Sequence, residues 1–289
     1  MAEVKVTVSE HAGFCFGAAR AVECLEKALT EGNGRPIYTY GPILNNDKLV
    51  ESFAVKGVKV LKDIEEVKSS PKGIVVIRSH GIPRETYDLL LSCGHDIVDA
   101  TCPFVKRIHK IVEEQSRLGE KIVVIGNPDH AEVKGIVGWS NSPCTVLQTT
   151  EEVEEFASHE NGNICIVSQT TFNRDKFQEF LDIFQKNSYN INVMNTICDA
   201  TRIRQSEARE LSQISDIMIV IGDEKSSNSR KLYEICKENC NHTYFIQTVD
   251  DIKGIDLLPE VRGLIGITAG ASTPRYIIEE VQSYVRHDF

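Results

Sequence analysis

Three things are scarce in this chain of 289 residues: long apolar runs, positive charge and local metal-binding pairs. No apolar stretch approaches the roughly 20 residues of a membrane-spanning helix, so no membrane association is expected. The alternating start, Met1-Ala-Glu-Val-Lys-Val-Thr-Val8, reads as a strand and lacks the apolar core of a secretion signal. Lys and Arg number 32 against 42 Asp and Glu, a formal net charge of −10. That balance argues against a general nucleic-acid binder and leaves room only for a local basic pocket. Nine cysteines are present, yet no C-x-x-C pair. Without a secretion signal, so many thiols point to a reducing compartment, the cytoplasm. A hydrophobic content of 41% supplies several cores, and the length suits two or three units.

What is present is one rhythm, three times over. Asp99-Ala-Thr-Cys-Pro103 sets Cys102 where a strand, Ile97-Val98, hands over to a helix that Pro103 opens and that runs to Leu118. A thiol there lies near backbone N–H groups that favour a thiolate. The same order surrounds Cys15, with a helix from Ala18 to Leu29, and Cys198, with a helix to Leu211. Strands Ile37–Tyr40, Ile122–Ile125 and Ile217–Ile221 then stop at Gly41, Gly126 and Gly222, which lie 26, 24 and 24 residues beyond their cysteines. Each glycine is followed by a polar loop, a second short strand, an acidic turn and a third apolar strand. That third strand leads into Arg78-Ser-His-Gly81, Gln169-Thr-Thr171 or Ala269-Gly-Ala-Ser272.

Strands alternating with helices in this way predict βα units on parallel sheets. The strand preceding Cys15 is the N-terminal one, so residues 1–13 complete the third unit. The expected fold is α/β, three lobes related by a pseudo-threefold repeat around a common centre: 14–101, 102–197, and 198–289 together with 1–13. A two-domain doubly wound protein with an accidental rhythm is the alternative.

Ligands of parallel α/β sheets bind outside the carboxyl ends of the strands. The loops there carry Cys15, Cys102 and Cys198; then Asn45-Asn46, His130 with Glu132, or Ser226-Ser227-Asn228; then His80, Thr170-Thr171 or Ser272. Structural zinc usually takes four protein ligands, often with a local pair. Three thiolates from distant parts of the chain suit a [4Fe–4S] cluster with one open iron. The hydroxyls, amides and imidazoles around it are donors that a phosphate or diphosphate requires. Glu132 is the only carboxylate in that set and so the natural proton donor. Cys24, Cys93, Cys144 and Cys165 read as small core residues. Cys236 and Cys240, at i and i+4 of one helix, lack further ligands. His11, His95, His109, His159, His242 and His287 fall off the repeated loops and read as surface or packing residues.

Six segments, in order, resemble the LytB family of 4-hydroxy-3-methylbut-2-enyl diphosphate reductases: Gly13-Phe-Cys-Phe-Gly17, Asp99-Ala-Thr-Cys-Pro103, His130-Ala-Glu-Val133, Gln169-Thr-Thr171, Ser226-Ser-Asn-Ser229 and Thr268-Ala-Gly-Ala-Ser272. The resemblance runs from about Val6 to Val285. It implies the last step of the methylerythritol phosphate route to isoprenoids. An allylic hydroxyl is removed reductively, with ferredoxin or flavodoxin as electron donor. It also implies a [4Fe–4S] cluster on Cys15, Cys102 and Cys198, with one iron open to the substrate's hydroxyl. His80, His130, Ser226, Ser227, Asn228 and Ser272 would hold the diphosphate. Glu132 would relay protons, with Thr170 or Thr171 orienting the leaving hydroxyl.

The chain departs from the family pattern at Asn45, where a His is expected, and at Ala131, where Pro is usual. An amide donates a hydrogen bond but carries no positive charge, and a charge-assisted bond is roughly twice as strong as a neutral one. Three other readings follow: a diverged paralogue with altered substrate, another three-cysteine enzyme similar to quinolinate synthase or the diphthamide-forming enzyme, and a cluster-bearing redox sensor without turnover.

Overall fold

Runs such as Ile74-Val-Val-Ile77 and Ile217-Met-Ile-Val-Ile221 leave no polar face, and strands of that kind are stable only when covered on both sides, as in parallel sheets. In the computed structural model they are central strands, at most 6% exposed along their length. The structure describes residues 4–159, 162–186, 190–253 and 263–288, apart from the side chain of residue 288.

The elements follow in chain order as β1 (Lys5–Val8), α1 (Phe16–Glu31), β2 (Ile37–Tyr40), α2 (Asp47–Val55), β3 (Lys59–Leu61), α3 (Ile64–Ser69), β4 (Ile74–Ile77), α4 (Arg84–Ser92) and β5 (Asp96–Asp99). Next come α5 (Pro103–Arg117), β6 (Lys121–Ile125), α6 (Ala131–Val137), β7 (Cys144–Leu147), α7 (Thr150–His159), β8 (Asn163–Ser168), α8 (Arg174–Lys186) and β9 (Asn190–Val193). The last part holds α9 (Asp199–Ile214), β10 (Ile217–Ile221), α10 (Ser227–Asn239), β11 (His242–Ile246), β12 (Leu264–Ala269) and α11 (Arg275–Asp288).

The strands form three parallel sheets of four, ordered β3-β2-β4-β5, β7-β6-β8-β9 and β11-β10-β12-β1. The order is the same each time, and β1 supplies the fourth strand of the third sheet, with Lys5 opposite Leu264 and Val8 opposite Ile267. The α/β class with three repeated parallel sheets is therefore the expected one. The chain divides into two compact units, one of Met1–Ala19, Leu44–Phe53 and Asp199–Phe289, the other of Arg20–Ile43 and Ala54–Cys198. The first holds the β1-containing sheet, with a core of Ile219, Ile221, Ile267 and Val281. The second holds the other two sheets, with cores around Val75, Ile77 and Leu90, and around Val123, Ile166 and Phe180.

Two expected loops are helical. His130 is the N-cap of α6 and Glu132 lies in its first turn. Ser226 caps α10, and Ser227 and Asn228 open it. The acidic stretch expected as a turn from Glu151 to Phe156 extends into the ten-residue α7. Cys240 stands just past α10 rather than on it.

Candidate active site

Each of the three cysteines sits immediately before a helix, and each backbone N–H is fixed in the same way. Cys15 N–H donates to the Ala271 carbonyl at 3.4 Å, Cys102 N–H to Ser79 at 2.9 Å and Cys198 N–H to Thr170 at 3.2 Å. Every acceptor lies two residues beyond the end of a strand, β12, β4 and β8 in turn. All three cysteines are half-buried. In the first unit the Ala18 N–H also points at Cys15 Sγ, 3.4 Å away. The Arg204 guanidinium, buried, donates to the Gly13 carbonyl at 2.6 Å and anchors the loop that carries Cys15.

The remaining cysteines behave as packing residues. Burial pushes the Cys165 and Cys236 thiols up to about 12, with smaller contributions from Glu120 and Cys240 respectively. Cys240 Sγ donates to the carbonyls of Ser215 and Asp216. None of the nine forms a disulfide.

In the second unit, Glu132 is 2% exposed and is bonded twice by one residue: the Thr170 N–H donates to Oε1 at 2.6 Å and the Thr170 hydroxyl to Oε2 at 2.9 Å. Burial pushes the Glu132 carboxyl up to about 7 against the opposing pull of those bonds. His130 Nδ1 accepts from the Glu132 N–H at 3.2 Å, so the neutral ring carries its proton on Nε2. His80 meets His130 edge-to-face with ring centroids 5.1 Å apart. Burial, then His130 and Arg78, hold His80 well below the usual imidazole range, so the ring is neutral. The Thr171 hydroxyl accepts from the Gln169 amide at 3.0 Å.

In the first unit, the Ser226 hydroxyl caps α10 by accepting from the Ser229 N–H. Asp223, 2% exposed, accepts from the Asp47 N–H at 2.9 Å and the Lys225 N–H at 2.8 Å. Asn45 joins this group: its amide donates to the Lys225 carbonyl at 3.1 Å, and the Ser272 hydroxyl donates to the Asn45 carbonyl at 3.1 Å. Asn228 and Ser272 are buried nearby in sequence and fold, at 4% and 8% exposure. Gly222 is required here because a Cβ would stand 2.3 Å from Ser229 Oγ.

Among the described residues of these loops, buried atoms without a protein partner are Arg78 Nε and His80 Nδ1 in the second unit, and Asn228 Nδ2 and Ser229 Oγ in the first. Unpaired buried polar atoms are rare and costly, and in each unit such groups can donate to an anion. Arg78 is the residue sequence reasoning passed over. It leaves the fully buried β4, and Gly41, at φ +70°, makes room for it, since a Cβ would lie 2.8 Å from Arg78 Nη1. A cation two residues before His80, at the exit of an all-apolar strand, was the available signal.

Parallel α/β sheets with cysteines at repeated strand-to-helix junctions, a buried protonatable carboxyl and unpartnered donors define a thiol-bearing anion-binding enzyme class. The chain belongs to the LytB protein family, whose model matches residues 6–286. It is 40% identical over 279 residues to the 4-hydroxy-3-methylbut-2-enyl diphosphate reductase of Alkaliphilus oremlandii, covering 96% of this chain and 98% of that protein. It is 40% identical over 289 residues to the enzyme of the same name from Aquifex aeolicus, covering 98% and 96%. A solved structure of (E)-4-hydroxy-3-methyl-but-2-enyl diphosphate reductase, described as the terminal enzyme of the non-mevalonate pathway, superposes with a TM-score of 0.71 at 38% identity, covering 98% of this chain and 99% of that one. The Plasmodium falciparum reductase structure gives a TM-score of 0.88 at 26% identity, covering 99% and 88%.

Proposed function

We propose that this chain is a reductase of the kind its relatives are named for, removing the allylic hydroxyl of 4-hydroxy-3-methylbut-2-enyl diphosphate to give isopentenyl and dimethylallyl diphosphate. One observation carries the reading. Thr170 joins a buried carboxyl poised near pH 7 to a cysteine, bonding Glu132 through its N–H and hydroxyl and Cys198 through its carbonyl. The same residue thus ties the proposed proton donor to the backbone of a proposed cluster ligand.

The donor set fits an iron–sulfur cluster. Three half-buried cysteines share one backbone arrangement, whereas Cys165 and Cys236 are held as thiols by burial. Cys15, Cys102 and Cys198 would hold a [4Fe–4S] cluster, which supplies reducing electrons and an open Lewis-acidic iron. The reaction balances as one hydroxyl, two electrons and two protons giving a C–H bond and water. Glu132 delivers a proton to the departing oxygen, a role suited to a carboxyl half-protonated near neutrality. Thr170 is its positioning residue. Thr171 lies three residues past β8, the place His80 and Ser272 hold after β4 and β12, and would orient the substrate's hydroxyl. His80, His130, Ser226, Ser227, Asn228 and Ser272 would bind the diphosphate, and Arg78 would join them as a half-buried cation. Asn45 would donate as a neutral amide.

The same reading takes 14–101, 102–197 and 198–289 with 1–13 as the repeating lobes, supported by the identical sheet orders. It also places the enzyme in the cytoplasm, supported by nine cysteines without a disulfide. A ferredoxin or flavodoxin would be the reductant, and no helix among the described residues is long and apolar enough to cross a membrane. Anaerobically purified protein, given the hydroxylated diphosphate and reduced methyl viologen, should yield both isoprenoid products. Cys102→Ser should lose iron–sulfur absorption together with turnover. Unchanged cluster content in that variant would overturn the ligand assignment, and no conversion by the wild type would overturn the activity.

A further inference from the structure

We propose that the exposed face of α5, starting at Phe104, is the docking surface for an acidic electron-carrier protein. This inference rests on the reductase reading, because the reaction needs two electrons from outside the chain. Each encounter would bring one electron from the reduced carrier to the cluster that Cys15, Cys102 and Cys198 would hold; no bond is made or broken, and two encounters would serve one turnover.

Charge is the first observation. In a chain of net charge −10, α5 carries Lys106, Arg107, Lys110 and Arg117 against Glu113 and Glu114, a net +2. The next most basic described helix, α10, reaches +1 with three cations and two carboxylates. The first ten residues of α5 contain no carboxylate at all. Lys106 is engaged by Asp99 at 2.6 Å and Glu113 by Arg84 at 2.6 Å. Arg107 and Lys110 are exposed and have no ion-pair partner among the described residues. Arg20 adds a cation beside the same junction, its guanidinium donating to the carbonyls of Thr101 and Asp99. Glu114, farther along, is the one exposed carboxylate of α5, and exposed Arg117 follows it in the last turn.

Position is the second. Cys102 is the N-cap of α5, so the thiol assigned to the cluster and the basic face belong to one helix end. Phe104, two residues on, is 44% exposed, an apolar contact at the shortest covalent route to that thiol. In the other unit the residue after Cys15, Phe16, is likewise exposed, at 66%. Aromatic and Arg side chains are the types enriched at protein interfaces. A basic rim around an apolar contact steers an acidic partner by long-range attraction that salt screens. Small electron carriers form weak, transient complexes, which a face of this size can supply.

The test pairs R107E/K110E with F104A in the cluster-loaded enzyme and drives turnover in parallel with reduced bacterial ferredoxin and with reduced methyl viologen. Charge reversal should raise KM for ferredoxin about tenfold or more and flatten the salt dependence of that rate. F104A should lower the ferredoxin-driven rate at unchanged salt dependence. Viologen-driven rates and cluster absorption should match the wild type in both. Direct titration of ferredoxin onto the holo protein gives a readout that needs no turnover. Weaker binding by R107E/K110E supports the docking face even if the wild type fails to reduce the diphosphate, in which case only the activity reading falls. Unchanged ferredoxin KM and binding in R107E/K110E overturn the inference. So does a face that binds DNA, anionic vesicles or a second copy of the chain while ferredoxin binds elsewhere.

Discussion

At the scale of single residues, Glu132 is where burial is turned into chemistry. Its folded pKa of about 7 lies above the unfolded carboxylate value near 4.3, so the folded state holds the proton more tightly across that interval. As pH rises through it, the fold loses that advantage and the carboxyl proposed as the proton donor ionises. Turnover should therefore fall with an apparent pKa near 7. Glu132→Gln keeps an oxygen for the Thr170 N–H and an amide for its hydroxyl, but has no proton to give. Its kcat should drop by about 10²–10⁴, with thermal stability at pH 8 equal to or above wild type. A kcat within threefold of wild type would remove Glu132 from the proton path. Asn45→His tests the departure from the family pattern: a large fall in KM for the diphosphate is expected if positive charge limits affinity. An unchanged KM would make Asn45 a link between Lys225 and Ser272 and nothing more. Glu132 stood out in the sequence because it was the one carboxylate among the residues singled out for the site, although Asp129, Asp223 and Glu224 lie in the same repeated loops. The grip of Thr170 did not, since it depends on a loop from β8 meeting the first turn of α6. Arg78 escaped for a related reason, because only the fold reveals that its Nε is buried without a partner.

Elements show the same division. The central strands and the long amphipathic helices could be read from periodicity and apolar runs, almost to the residue in β2, β6 and β10. The seven-residue α6 could not, because it is too short to show a period and contains Gly135. Tertiary contacts hold it instead. At the turn beyond α6, the Trp139 indole N–H donates to the Ile82 carbonyl at 2.9 Å, and Trp139 stacks on His109 of α5, with ring centroids 5.2 Å apart and planes inclined by 13°. Both contacts brace the loop that carries His80. His109, 5% exposed, is pulled down to about 4, chiefly by burial, with Asp99 opposing. Its unfolded value is near 6.5. Between those values the unfolded chain binds a proton that the folded one refuses, so stability falls as pH drops from 6.5 toward 4. The full difference is worth roughly 3 kcal/mol, and Glu132 offsets part of it by acting in the opposite direction. His109→Leu should cut the loss of stability between pH 6.5 and 4.5 in urea titrations. An identical pH profile in the variant would mean that His109 is not held neutral.

For the whole molecule, the repeat explains why the first residues of the chain belong with its last third. The spacing of the cysteines assigned the N-terminal strand to the third sheet, and β1 pairs there with β12 in register from Lys5 to Val8. The bonds from each cysteine N–H to a carbonyl two residues past a neighbouring strand's end were beyond any sequence pattern, because they arise only when neighbouring loops are laid side by side. Cys15 depends on that arrangement directly: the Ser9 N–H donates to Ile267, the Gly13 N–H to Ala269 and the Cys15 N–H to Ala271, so the loop continues the pairing that β1 begins. Val4, Val6 and Val8 pack against the core of the third sheet as partly buried side chains. At about 1 kcal/mol for each half-buried valine, removing residues 1–8 should cost roughly 3 kcal/mol, read as a lower urea midpoint. It should also expose β12 as a sheet edge prone to pairing with other chains. Because the carbonyls that receive the Cys15 loop belong to β12 and the residues just after it, the truncated protein should lose its iron–sulfur absorption faster on dilution than a Val6→Ala variant, which keeps the strand. Equal retention in the two proteins would show that the Cys15 loop is held by Arg204 and α9 alone, and that β1 contributes stability without setting the ligand.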